Sequence, residues 1–211
     1  MLEFFRALAD PSVPFIRYAF IAGILGSAAF GIVGSYVTVR RISSMAGAIA
    51  HSVLAGVGAA LYLESRFEIG WITPTVGATV AGLLAALVIG LVSLYSKERE
   101  ETVIGAIWAV GMAVGVILLD LAPGYQRDFM SYLFGSILAV PSGDIWIMGL
   151  MDGAIVSVVS FFHHDLTAMS YDEEFARVRR VPVKVLYFVL MAMIALTVVM
   201  TMRVVGLILV I

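Results

Sequence analysis

His51 is the residue whose chemical type and surroundings most suggest a functional site in this 211-residue sequence. It lies in the run SSMAGAIAHSVLAG (residues 43–56), and no Asp, Glu, Lys or Arg occurs between Arg41 and Glu64. Ionisable side chains within apolar segments usually face the interior of a helix bundle or a path for ions. A neutral imidazole is also a common ligand of divalent metals. Two interpretations stay open: a contact with a metal or substrate, or a structural histidine bonded to a carbonyl of a neighbouring helix.

The helix that carries His51 offers it no carboxylate. Residues three and four positions apart share a helical face, and those positions hold Ala48, Gly47 and Ala55. Any site at His51 therefore needs partners from other helices or from a segment beyond residue 211.

The sequence HHD at residues 163–165 is a second arrangement that could bind a metal or catalyse hydrolysis. Neighbouring side chains on a helix point about 100° apart. His163 and His164 can therefore reach one metal only in a loop or with distortion. We expect these histidines to lie at the polar end of an apolar helix without a metal.

A charged run, DEEFARVRR, follows at residues 172–180. Its acidic residues come first and its basic residues last, which matches the dipole of a helix. The pattern predicts a short helix within a loop that spans residues 163–184. Two interpretations fit: a solvated loop, or a docking helix for another protein, formed by Asp172, Glu173, Glu174, Phe175, Ala176 and Arg177.

The composition places all these residues in an integral membrane protein. Hydrophobic residues make up 62% of the chain, charged residues only 13%, and the mean hydropathy is +1.05. Soluble domains carry roughly a quarter charged residues. The absence of cysteine excludes disulfides and thiolate metal sites.

Six stretches are long enough to cross a bilayer, which requires about 20 apolar residues in a helix. They are continuously apolar and do not alternate, which indicates helices and not barrel strands. The predicted spans cover residues 15–38, 43–63, 72–95, 102–121, 144–162 and 183–202. The predicted fold is an all-α polytopic membrane helix bundle with six full spans.

Two shorter apolar segments complete this prediction. Residues 130–140 are too few to span as a helix, so we expect a re-entrant or interfacial helix there. The run at 204–211 predicts a seventh span that is cut short at the end of the sequence.

Basic residues predict the orientation of the spans, because cytoplasmic loops carry an excess of Lys and Arg. The loops on one side of the membrane hold Arg40, Arg41, Lys97, Arg99, Arg177, Arg179, Arg180 and Lys184, and these loops are predicted to be cytoplasmic. The loops on the other side hold only Arg66, Arg127 and Arg203.

Several blocks of the sequence resemble the permease subunits of bacterial ABC importers for zinc, manganese and iron. The second helix of that family opens Arg-Arg-Met-Ser and continues to Gly-Asp-Ala-Leu-Ser-His. The corresponding register here reads RRIS at residues 40–43 and AGAIAH at 46–51. Further matching blocks are ETVIGAIWAVGMAVG (101–115), DFMSYLFGSILAV (128–140), YDEEFARVRRVPV (171–183) and MRVVGLILV (202–210). The likeness covers essentially the whole chain.

The resemblance implies that His51 lines the translocation path and contacts the metal transiently. Three positions depart from the family pattern. Gly47 stands where the family has an aspartate, and Ala55 stands where it has a proline. Arg180 stands where the family has a glycine after the coupling segment. Without the aspartate, hard ions such as manganese lose their best ligand. Among zinc, manganese and iron, zinc is therefore slightly favoured.

The resemblance also implies an assembly. The chain would be a single transmembrane permease domain (1–211) in the bacterial cytoplasmic (inner) membrane, with a coupling segment at about 163–183. Two such chains would form a homodimer in the lipid bilayer. Cytoplasmic ATP-binding subunits would dock on residues 171–180, and an extracytoplasmic metal-binding protein would dock on the outer loops. We expect no tightly bound cofactor and no nucleic acid partner.

Two other functions stay open beside transport. The chain has no Walker-type glycine loop, so ATP hydrolysis is assigned to a partner and not to this chain. An intramembrane enzyme using His51, or His163 with Asp165, would need a second buried catalytic group, and the spans supply no convincing one. A non-transporting scaffold or regulator is plausible because Gly47 replaces the expected aspartate.

Overall fold

The computed structural model describes residues 14–67, 71–95, 100–122 and 142–206. Within these ranges the chain forms helices joined by short turns. The helices are α1 (Pro14–Arg40), α2 (Ser43–Phe67), α3 (Pro74–Tyr95), α4 (Glu100–Leu121), α5 (Ser142–Tyr171), α6 (Glu173–Val178) and α7 (Val183–Val205). The predicted segment at 130–140 and most of the run at 204–211 lie outside the described residues.

Six of these helices are long and apolar enough to cross a membrane, which confirms the predicted all-α, six-span fold. The observed starts of α1 to α5 and α7 lie within about two residues of the predicted ones. The short helix predicted within the charged run is also present, as α6.

The loop predicted to begin at His163 was wrong, because α5 continues through HHD to Tyr171. The predicted end of the span at residue 162 coincides with a kink in the helix at Phe162. No Gly or Pro occurs between His163 and Tyr171, and extending a formed helix costs far less than starting one. Leu166 and Met169, one turn apart, are buried and hold this extension against the bundle. The backbone departs from helical geometry only at Phe162 (φ −107°, ψ 16°).

Helices α2 and α7 form the centre of the bundle and are the most buried of the six apolar helices. Helix α2 packs against α3, α4 and α7, whereas α1 packs mainly against α5 and α7. The closest approach joins α2 to α3: a Cβ atom on Gly56 would lie 2.2 Å from the carbonyl oxygen of Gly77. Only glycine permits that approach, as is common where membrane helices associate through small residues.

Arg40 and Lys184 show how helix ends meet on the side of the bundle where α1 ends and α7 begins. The guanidinium of Arg40, at the end of α1, pairs with Glu173 of α6. Lys184, at the start of α7, lies 4.7 Å from the ring centre of Tyr95 at the end of α3. These contacts place the end of α1 beside α6 and the end of α3 beside the start of α7, at the end predicted to be cytoplasmic.

Candidate metal path and coupling segment

His51 lies about two turns from the start of α2, and only 5% of its surface is exposed. Its Nδ1 lies 2.8 Å from the carbonyl oxygen of Gly47, one turn earlier. A carbonyl can only accept a hydrogen bond, so Nδ1 carries the proton and donates it. In the neutral ring the lone pair is therefore on Nε2, the atom that remains able to bind a metal.

Trp108 of α4 provides the main side-chain contact of this imidazole. The two ring centres are 4.3 Å apart and the ring planes are inclined by 34°. The indole also fills the space beside Gly47, where a Cβ atom would lie 3.1 Å from Cζ3 and 3.4 Å from Cη2. A tryptophan therefore lies next to the position at which the resemblance predicts a carboxylate.

Helices α2 and α4 meet almost backbone to backbone on this side of His51. A Cβ atom on Gly111 would lie 2.9 Å from Cα of Ser52. One turn further, a Cβ atom on Gly115 would lie 2.7 Å from Cγ of Leu54. Glycine at these positions allows the contact that brings Trp108 onto the imidazole.

His51 is thus hydrogen-bonded to a carbonyl, as the structural interpretation requires, but the carbonyl belongs to its own helix. Among the described residues, no group of three or more His, Cys, Asp or Glu side chains could hold a metal. The structure therefore supplies one imidazole with an aromatic neighbour, and the described residues form no multi-ligand metal site around it.

The histidines of HHD do not share a site. The Nδ1 atom of His163 lies 3.2 Å from the hydroxyl oxygen of Tyr36 on α1. The rings of His163 and His164 are 5.7 Å apart and inclined by 57°. Since both residues lie on a helix, their side chains diverge as the sequence geometry predicts.

Helix α6 contains the residues predicted to couple the chain to a partner. The Asp172 carboxylate accepts a hydrogen bond from the backbone N–H of Phe175 at 2.9 Å, so it caps the helix. Ala176 is buried, whereas Phe175 and Val178 expose apolar surface. The helix therefore rests on the bundle with one face and presents an apolar face outward.

Arg40 connects α6 to the transmembrane helices through hydrogen bonds and an ion pair. Its guanidinium lies 3.1 Å from a carboxylate oxygen of Glu173 and donates to the carbonyl of Met169 at 2.9 Å. It also lies 5.4 Å from the ring centre of Tyr187 on α7. The hydroxyl oxygen of Tyr187 in turn lies 3.0 Å from the hydroxyl oxygen of Ser93 on α3 and 3.3 Å from the sulfur of Met45, near the start of α2.

Asp152 is a polar residue that the sequence interpretation missed. It lies within α5 with 7% of its surface exposed, and its Oδ1 has no hydrogen-bond partner among the described residues. The rule that singled out His51 also applies here, because a carboxylate inside an apolar span is costly unless it is used.

A family model described as the ABC 3 transport family matches residues 12–211. The chain belongs to this family. Its helices also superpose on a solved structure, PsaBC from Streptococcus pneumoniae in complex with Fab, with a TM-score of 0.82 and 33% identity. That match covers 99% of this chain and 72% of the other. The six apolar helices make this member of the ABC 3 transport family a multi-pass membrane protein.

Curated relatives agree with this assignment. A probable metal transport system membrane protein of Chlamydia muridarum is 40% identical over 210 residues, which cover 99% of this chain and 70% of the relative. An uncharacterized membrane protein of Synechocystis is 41% identical over 197 residues, covering 93% and 68%. A manganese transport system membrane protein of Listeria monocytogenes is 32% identical over 197 residues, also covering 93% and 68%.

Proposed function

We propose that this chain is the membrane-spanning subunit of an ABC importer that moves a divalent transition metal into the bacterial cytoplasm. The observation that carries the proposal is the buried His51, whose Nδ1–H bond to Gly47 leaves Nε2 as a metal ligand. The family and the names of the chlamydial and listerial relatives support a metal as the substrate. A single imidazole suits a transported ion, since a resident zinc site uses three or four protein ligands.

Zinc, manganese and iron are the candidate substrates, and the residues at His51 slightly favour zinc. Nitrogen ligands suit zinc, whereas manganese prefers carboxylate and water oxygens. Trp108 supplies no such oxygen. The name of the listerial relative argues for manganese, so the metals must be compared directly.

The proposal assigns ATP hydrolysis to separate cytoplasmic subunits that dock on α6. The apolar surface of Phe175 and Val178 and the bond between Glu173 and Arg40 support this role, because they combine a docking face with a fixed connection to α1. An extracytoplasmic metal-binding protein would deliver the ion, and two copies of this chain would form the path.

The test is metal uptake by cells that produce the complete transporter. His51→Ala should lower uptake of the transported metal by about tenfold or more, as the loss of a metal contact does elsewhere. His164→Ala is the matched control, because His164 is exposed on α5 and its loss leaves the path intact. Unchanged uptake of zinc, manganese and iron in His51→Ala would contradict the assigned role. Absence of uptake by the wild-type complex would favour the scaffold function.

A further inference from the structure

We propose that Trp108 is a movable cap over His51 and that glycine at position 47 lets the indole lie against the imidazole without a shift. Together, Gly47, His51 and Trp108 are called the His51 cap below. The inference rests on the proposed function in one respect, namely that the ligand uncovered by the cap is a transition metal ion.

In the His51 cap, the Gly47 carbonyl, the His51 imidazole and the Trp108 indole fix one another's positions. The carbonyl of Gly47 holds Nδ1 and so fixes the imidazole orientation. The indole then lies against the imidazole at a ring-centre distance of 4.3 Å. The same indole lies where a side chain at position 47 would begin, since a Cβ atom there would be 3.1 Å from it. A Cβ atom at position 47 therefore requires the indole to shift by a few tenths of an ångström, and a longer side chain would push it further.

The exposure of the two rings shows how the cap can open. His51 is 5% exposed, whereas Trp108 is 37% exposed, so the indole reaches from the buried imidazole to the surface of the described bundle. The backbone beside it has no comparable freedom, because α4 already contacts α2 at Gly111. Rotation of the indole about its own side-chain bonds is therefore the simplest movement that uncovers Nε2.

The cap also defines the chemistry of the ion that can be held. A cation at Nε2 would meet an imidazole nitrogen and the face or edge of an indole, which attracts cations through its ring electrons. Among the described residues, no group of three or more His, Cys, Asp or Glu side chains would surround it. This combination favours a borderline metal such as zinc or cobalt over a hard ion such as manganese.

The first experiment observes the cap directly by fluorescence. The chain has three tryptophans, and Trp71 and Trp146 are exposed, so the double variant Trp71→Phe/Trp146→Phe leaves Trp108 as the single emitter. Cobalt(II) chloride is titrated into the purified full-length protein in nanodiscs. We expect saturable quenching that His51→Ala weakens by about tenfold in apparent affinity and that His164→Ala leaves unchanged. Quenching that is the same with and without His51 would overturn the proposal.

The second experiment removes or displaces the indole and measures access to His51. In a background of His163→Gln/His164→Gln, the rate of modification by diethyl pyrocarbonate reports His51 alone. Trp108→Ala should raise this rate about tenfold, Gly47→Ala should raise it less, and Trp108→Phe should leave it near the parent rate. Gly105→Ala is the matched control, because a Cβ atom at Gly105 meets nothing within 4 Å. The proposal fails if Trp108→Ala is modified no faster than the parent and the other three variants share the parent rate. That result would show that the indole does not cover His51.

These results separate the cap from the transport function. If quenching depends on His51 but the wild-type complex moves no metal, the cap is supported and the proposed function is contradicted. Transport that depends on His51, together with an unchanged modification rate in Trp108→Ala, would contradict the cap alone. If Trp108→Ala does not fold, Gly47→Ala supplies the decisive comparison, because it retains the indole and shifts it.

Discussion

At the scale of single residues, Arg180 combines an unfavourable backbone with an exposed side chain. Its φ angle is 63°, in the left-handed region that favours glycine. The resemblance anticipates glycine at this position, and the backbone angle gives the physical reason. The resemblance marked Arg180 as a departure, and the structure adds that its backbone is left-handed.

Replacing Arg180 with glycine should stabilise the protein slightly. The left-handed conformation costs a non-glycine residue about 1–2 kcal/mol, and the greater freedom of glycine in the unfolded chain offsets about 0.5–1 kcal/mol of that. The expected net gain is about 0.5 kcal/mol in the free energy of unfolding, seen as a higher melting temperature in detergent. Arg179→Gly is the control, because Arg179 has a φ of −78° and should lose stability. The opposite ranking would contradict the argument from strain.

Asp152 gives a second prediction at this scale. A buried polar atom without a partner costs about 1–3 kcal/mol, so Asp152→Leu, which keeps the number and branching of the side-chain heavy atoms, should raise the melting temperature of the isolated chain. Thermal unfolding of the two proteins in the same detergent measures this. A lower melting temperature in Asp152→Leu would contradict the prediction and show that the carboxylate stabilises the isolated chain.

At the scale of elements, the connection between α1 and α6 depends on one arginine. The side chain of Arg40 is only 12% exposed and bonds both Glu173 and the carbonyl of Met169. Arg177 also pairs with Glu173, but its side chain is 60% exposed. Exposed pairs of this kind contribute about 0.3–0.5 kcal/mol, so the two arginines should differ sharply in importance.

Arg40→Ala should therefore reduce metal uptake more than ATP hydrolysis in the reconstituted transporter, because α6 would move without carrying α1. The ratio of metal ions transported to ATP hydrolysed is the measurement. Arg177→Ala, the control, should keep a ratio close to that of the wild type. Equal ratios in the two variants would argue against Arg40 as the connection.

The contact between α2 and α3 gives a prediction about helix packing. Gly56→Ala places a methyl group 2.2 Å from the carbonyl oxygen of Gly77, a distance that requires the backbones to separate. We expect loss of folded protein in size-exclusion chromatography after expression. Gly23→Ala should be tolerated, since a Cβ atom at Gly23 meets nothing within 4 Å. Normal recovery of Gly56→Ala would contradict the observed helix spacing.

At the scale of the whole molecule, the length of each continuous apolar segment was enough to predict the six spans. A backbone inside a bilayer must satisfy its own hydrogen bonds, and a helix does so within one segment. The continuation of α5 past residue 162 was missed because length alone does not end a helix, and no Gly or Pro ends it there. The contact between His51 and Trp108 joins separate helices, so no local pattern reveals it. Polarity within an apolar span was the signal that located His51, and it would equally have located Asp152.

The shape of α5 has a mechanical consequence for the whole molecule. Beyond the irregular backbone at Phe162, nine more residues extend the helix to Tyr171, immediately before α6. At 1.5 Å per residue this segment is a lever arm of about 13 Å. A change of about 10° at Phe162 would displace its end by roughly 2 Å, given the same rise. A modest push on α6 would thus be converted into bending at the depth where His163 meets Tyr36 of α1.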